Sequence, residues 1–126
     1  MPKQKYSREQ IIEDWLNYYP IRQVEYDTND KNLVILIVPH TQNWFTRKLL
    51  PKPKNSAKRI QLDEIGTFIW TLLDGNHSLR LICEKLEKEF NERVSPCRER
   101  TILFAQQLYK QKFIKVYLKK DDVPTN

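Results

Sequence analysis

The side chains able to do chemistry are few and scattered. Cys83 and Cys97 lie fourteen positions apart, with no CxxC pair and no second pair to complete a zinc quartet. They read as two buried structural thiols rather than ligands or a redox centre. His40 and His77 add no ligand cluster and read as loop residues. Carboxylates are paired at Asp63 with Glu64 and at Glu87 with Glu89. The first pair suits a helix start and the second an exposed helix face, so neither is assigned a catalytic role. A cysteine nucleophile needs a neighbouring base, and nothing in the spacing ties either thiol to a histidine. The sequence has no GxGxxG, P-loop, HExxH or GxSxG motif, and Gly66 and Gly75 alone cannot build a phosphate cradle. The expectation is a chain that is not an enzyme and holds no metal or cofactor.

The 126 residues, 40% hydrophobic and 30% charged, are enough for one core without disulfides. The longest apolar run, Leu33 to Val38, has strand length, so no membrane span is expected. The opening MPKQKYSREQ lacks an apolar signal region, which points to the cytoplasm. Charge is uneven. Between Lys31 and Leu62 stand seven Lys or Arg and no Asp or Glu, so this segment accounts for the net charge of +6. Its dense part, RKLLPKPKNSAKR from Arg47 to Arg59, is broken by Pro51 and Pro53 and reads as a semi-rigid basic loop. Such a loop suits nucleic acid, an acidic peptide or anionic lipid, and equally a solvated loop whose charge keeps the chain soluble.

The elements that must position these residues follow from periodicity and caps. Ser7 as N-cap, Gln10 at the capping-box position and the apolar Ile11, Ile12, Trp15 and Leu16 predict a helix to about Asn17, with Pro20 marking its end. Val24 and Tyr26 alternate with charged residues as a half-buried strand, and Thr28 to Lys31 has turn chemistry. Leu33 to Val38 predicts a second strand, central or packed on the first helix. Lys58 to Leu62 alternates as a third, facing the core through Ile60 and Leu62. Asp63 then caps a helix with Ile65, Phe68, Ile69, Leu72 and Leu73 on one face, stopped by Asp74-Gly75-Asn76. Gly66 inside it suggests close packing of another backbone, and Gly75 a left-handed turn. Ser78 caps a helix whose buried stripe is Leu79, Ile82, Cys83, Leu86 and Phe90. Ser95-Pro96 opens the last helix, with Ile102, Ala105, Leu108 and Tyr109 on its apolar face. Phe113 to Leu118 predicts a terminal strand.

This order predicts an α+β, winged-helix-like fold: a small antiparallel sheet of about three strands, then a three-helix bundle, with an extra N-terminal helix. The expected divisions are a helical extension over 1–19, the main domain over 20–118 with the basic loop 40–58, and a flexible tail over 119–126.

The stretch Ile60-Gln61-Leu62-Asp63-Glu64-Ile65-Gly66-Thr67-Phe68-Ile69-Trp70, followed by Leu72-Leu73-Asp74-Gly75 and Ser78-Leu79-Arg80-Leu81-Ile82, resembles the pyrroloquinoline quinone biosynthesis protein D (PqqD) family. The N-terminal helix and the long basic loop depart from the short form of that family. The resemblance implies a peptide chaperone, or RiPP recognition element, that holds the leader of a precursor peptide and presents it to a radical SAM maturase. It implies that the leader adds as a strand at a sheet edge, in a cleft beside the third helix of the bundle. An open edge offers N–H and C=O groups for this purpose. By position the edge is Lys58, Arg59, Ile60, Gln61 and Leu62, and the helix offers Leu103, Gln106, Gln107 and Lys110. Lys58, Arg59 and Lys110 suit acidic leader residues.

Two other functions fit parts of the chain. A winged-helix nucleic-acid binder would read through Cys97, Arg98, Arg100 and Thr101 at the start of the last helix, though Glu99 sits among them. A structural adaptor or homodimer would expose the aromatics Trp15, Tyr18, Tyr19, Trp44 and Phe45.

Overall fold

In the computed structural model, which describes residues 7–39 and 57–124, the expected caps set the helices. Helix α1 is Arg8–Leu16, with Ser7 Oγ accepting the Gln10 N–H at 3.1 Å. The capping box is only half made, because the Gln10 side chain turns forward and donates to Asp14 Oδ1 at 3.0 Å. The other elements are strands β1 (Tyr19–Arg22), β2 (Glu25–Thr28), β3 (Val34–Pro39) and β4 (Ala57–Gln61), helices α2 (Glu64–Thr71), α3 (Leu79–Phe90) and α4 (Cys97–Lys110), strand β5 (Ile114–Tyr117), and two short 3-10 helices, Asn91–Val94 and Lys120–Asp122. The fold is α+β and winged-helix-like as expected, with one strand, β1, beyond the expected order. Most of the basic loop, with Trp44 and Phe45, lies outside the described residues. The chain divides inside α2 into two units, Val24–Thr67 and Met1–Gln23 with Phe68–Asn126.

The first unit is a three-stranded antiparallel sheet in the order β2-β3-β4. Its β2–β3 turn is built by Asn29, whose Oδ1 accepts the N–H groups of Lys31 and Leu33, each at 2.9 Å, while Asn32 takes a φ of 64°. Asn side chains stabilise such turns and tolerate this conformation. Strand β3 is central, with Val34, Leu36 and Val38 buried on one face and Ile35 and Ile37 half-buried on the other. Strand β2 departs from expectation: all four of its residues are exposed, Tyr26 included, because it is a short edge strand beside only one neighbour. Beyond β4, Asp63 Oδ1 accepts the Gly66 N–H at 2.7 Å and caps α2 as expected.

The second unit holds a strand that local pattern did not predict. Pro20 does not merely end a helix; it lies inside β1, which pairs antiparallel with β5, Tyr19 opposite Tyr117 and Arg22 opposite Ile114. The proline is tolerated because alternate residues of β1 turn their backbone groups away from β5. Pro20 O accepts the Gly75 N–H at 2.9 Å, and Arg22 N–H donates to Leu73 O at 3.0 Å. That bridge also explains why α2 stops at Thr71, leaving Leu72 and Leu73 beyond it. Residues 73–75 are drawn alongside β1, and the Arg22 guanidinium donates to the Trp70 and Thr71 carbonyls at 3.0 and 3.1 Å, a cation at a helix C-terminus. Gly75 has the expected left-handed φ, 81°, and a Cβ there would stand 2.6 Å from Val123 Cγ1.

Helix α3 buries the predicted stripe Leu79, Ile82, Cys83, Leu86 and Phe90, and Ser78 Oγ accepts the Leu81 N–H at 3.2 Å. Helix α4 starts later than expected. Pro96, not Ser95, is its N-cap residue, and Pro96 O accepts the Arg100 N–H at 3.2 Å. Its buried residues are Cys97, Thr101, Ile102, Ala105 and Leu108, while Tyr109, predicted on the apolar face, is half-exposed against the Trp15 ring at 5.6 Å. The helix ends in a Schellman motif: Phe113 N–H reaches Leu108 O at 2.9 Å, Lys112 N–H reaches Tyr109 O at 3.0 Å, and Lys112 has a φ of 65°.

Candidate functional site

Strand β4 is an outer strand of its sheet and pairs only with β3 among the described residues. The register sets which of its backbone groups are free. Leu62 N–H donates to Val34 O at 2.8 Å, and Leu36 and Val38 stand opposite Ile60 and Lys58. By antiparallel alternation, Lys58, Ile60 and Leu62 turn their backbone groups to β3, whereas Ala57, Arg59 and Gln61 turn theirs outward. Sequence reasoning missed Ala57, because parity is visible only once the β3 partner is known.

The side chains of this edge divide in the same way. Ile60 is half-buried opposite the buried Leu36, and Leu62 is buried just past the strand end, as predicted for core-facing positions. Lys58 is exposed. On the other face Arg59 Nη2 lies 3.8 Å from Asp27 Oδ2, and Gln61 Oε1 accepts from Asn29 Nδ2 at 3.3 Å. Both contacts reach across β3 to the β2 side of the sheet. These polar groups are therefore held, yet remain at the surface.

The other four predicted residues lie on α4, in the second unit. Gln107 and Lys110 are exposed, Gln106 is half-buried and Leu103 is 59% exposed. Leu103 and Gln106 line a groove that α4 forms with α1. Residues 50–114, just over half of the chain, match the family model described as Coenzyme PQQ synthesis protein D (PqqD). The chain belongs to the PqqD family. The PqqD match takes in β4, α2, α3 and α4 and stops at the first residue of β5, leaving α1 and β1 to β3 outside it. No curated protein and no solved structure matches the chain.

The remaining chemistry-bearing residues have structural partners. Cys97 Sγ donates to Cys83 O at 3.6 Å and lies 3.7 Å from Thr101 Oγ1. Burial pushes the Cys83 thiol up to about 12 and raises that of Cys97, so neither is a ready nucleophile. His77 Nδ1 lies 2.8 Å from Asp74 Oδ1, which also accepts the Asn76 N–H at 2.9 Å. Burial alone raises the Asp74 pKa; the hydrogen bonds from His77 and Asn76 outweigh it and hold the carboxyl below its ordinary value. Among the described residues no group of three or more His, Cys, Asp or Glu could hold a metal ion, and no helix is long and apolar enough to cross a membrane.

Two expectations are corrected. The base-reading set is presented only in part: Cys97 and Thr101 are buried, whereas Arg98 and Arg100 are exposed, Arg100 Nη1 donating to Arg93 O at 2.7 Å. Of the aromatic patch, Trp15, Tyr18 and Tyr19 are half-buried rather than exposed, the Trp15 ring lying between those of Tyr18 and Tyr109 at 5.4 and 5.6 Å.

Proposed function

We propose that this PqqD-family chain is a non-catalytic peptide-recognition module. It acts in the cytoplasm, binds the leader of a precursor peptide as an added strand on β4, and presents it to a modifying enzyme, a radical SAM maturase. The observation that carries this reading is the edge of β4, which no other strand of the described residues covers and where alternate backbone groups face outward on an exposed strand. An extended peptide satisfies such groups with its own ladder, and its side chains supply selectivity. The leader bonds to the backbones of Ala57, Arg59 and Gln61. Lys58, Arg59 and Lys110 attract acidic residues of the leader, an effect on encounter rate more than on affinity. Ile60 and Leu62 fix the edge by packing, and Leu103, Gln106 and Gln107 supply side-chain contacts from α4.

The test is affinity capture from the native cell, run in parallel with the intact chain and the Gln61→Pro variant, with mass spectrometry of the retained material. Retention of one small peptide, with or without a radical SAM enzyme, by the intact chain alone supports the reading. Equal retention by both variants removes strand addition, and recovery of nucleic acid or of self-copies alone removes peptide recognition.

A further inference from the structure

The second unit carries a strand edge of its own. In the β1–β5 ribbon, Gln23 N–H donates to Phe113 O at 2.9 Å, and Tyr19 and Ile21 stand opposite Tyr117 and Lys115. Alternation then turns the backbones of Phe113, Lys115 and Tyr117 to β1 and those of Ile114, Val116 and Leu118 outward. The far side of β1 is taken by the bonds that Pro20 and Arg22 make with Gly75 and Leu73. The outer side of β5 has no strand against it among the described residues. Ile114 is buried, so the accessible edge runs from the half-buried Val116 to Leu118, which is 63% exposed. The chain stays extended at Lys119 and then turns away, Val123 lying against Gly75 on the β1 side. Charge sets this edge apart. Five lysines stand at positions 110, 112, 115, 119 and 120, with no Asp or Glu between the first and the last. All five are exposed, and none joins an ion pair among the described residues.

We propose that the β5 edge docks an acidic extended segment of a partner protein as an added strand. The inference stands on the β1–β5 ribbon alone and needs nothing from β4. The outward N–H and C=O of Val116 call for an acceptor and a donor together. An extended backbone supplies both, whereas the phosphates of a nucleic acid or a lipid surface bring acceptors only. Leu118 adds apolar surface beside these groups. The lysines are matched by carboxylates at strand spacing, because opposite charges paired across strands stabilise and like charges repel. The same repulsion opposes pairing with β5 of a second copy, which would bring two identical sets of cations together. An acidic strand turns that repulsion into attraction.

The test uses the full chain and a fluorescein-labelled peptide of alternating Glu and Val with blocked ends, followed by fluorescence anisotropy. A peptide of alternating Lys and Val is the charge control, and Gln61→Pro is the control for β4. The β5 variants are Val116→Pro, which removes an outward N–H and spares the β1 ladder, and Lys115→Glu at an exposed position, which reverses one charge. Thermal melts check that each stays folded, and Lys115→Glu decides the matter if Val116→Pro does not. The intact chain should bind the acidic peptide and not the basic one, more weakly as salt is raised. Val116→Pro and Lys115→Glu should each lose about tenfold in affinity, and Gln61→Pro should keep this binding. Affinity that survives both β5 variants overturns the proposal, and its loss in Gln61→Pro alone would give the peptide to β4 instead. No binding of the acidic peptide by the intact chain overturns it as well. Single-stranded DNA or phosphatidylserine vesicles that bind and that the peptide fails to displace would assign the lysines to phosphates and overturn it. A dimer of the intact chain that Val116→Pro dissociates would give the edge to a second copy and likewise overturn it.

Discussion

The guanidinium of Arg59, on β4, meets the carboxylate of Asp27, on β2, 3.8 Å away above the central strand of the sheet. The pair ties the two edges together across Ile37 and Ile35, their opposite numbers on β3. Both side chains are more than half exposed, so the tie is weak and exchangeable. Exposed pairs of this kind are worth about 0–1 kcal/mol. Asp27→Asn is accordingly expected to change stability by less than ~1 kcal/mol, read from urea unfolding. In the peptide-binding reading, Arg59→Ala slows capture of an acidic peptide in stopped-flow measurements at low salt, and the difference shrinks as salt is raised. A loss of several times that stability would instead make the pair a structural element.

The register of β4 separates two proline variants. Gln61→Pro removes an outward N–H and leaves the β3 ladder intact, whereas Ile60→Pro removes a donor that faces Leu36. Gln61→Pro should therefore keep a near-native melting temperature and lose peptide binding. Ile60→Pro should lower the melting temperature as well. Circular dichroism melts beside binding isotherms read the two effects apart, and retained affinity in a folded Gln61→Pro protein would exclude strand addition.

Asp74 links the fold to pH. Its folded-state pKa lies below the ordinary 3.8, so near and below that value the unfolded chain binds more protons than the folded one. Its stabilising contribution is full above the unfolded pKa and is lost as pH falls through the lower folded value. Asp74→Asn should flatten this acid limb of the stability profile, as read from denaturant midpoints between neutral and strongly acidic pH. An unchanged acid slope in the variant would mean that other carboxylates carry it.

The two thiols should be silent in the folded protein. Cys83 and Cys97 are buried, with their pKa values raised, Cys83 to about 12, so thiolate is scarce at neutral pH. A thiol-specific disulfide reagent should label neither at an appreciable rate natively and both in denaturant. Prompt labelling of the native chain would show that α3 and α4 open.

Much of this protein is set by local sequence. Ser7, Asp63 and Ser78 cap their helices because a side-chain oxygen three residues before an unpaired N–H can reach it whatever the rest of the chain does. The stripe from Leu79 to Phe90 is buried as its spacing requires. The motif from Ile60 to Ile82 likewise announces the family without reference to the fold, and the strand assigned to Lys58–Leu62 is found at Ala57–Gln61.

What the sequence could not decide depends on partners distant along the chain. Tyr19–Arg22 becomes a strand because residues 114–117 lie beside it, and the resulting bridge to Asp74 shortens α2. Thr101 is buried and Tyr109 half-exposed because neighbouring helices, not the α4 pattern alone, choose which face is covered. The outward parity of Ala57, Arg59 and Gln61 needs the β3 register, since a shift of one residue would reverse it. The groove on Leu103 exists only because α1 lies against α4, some ninety residues along the chain. Caps and periodicity act within a few residues and can be read from them; strand register and the pairing of helix faces are chosen by long-range packing, so only the tertiary structure decides them.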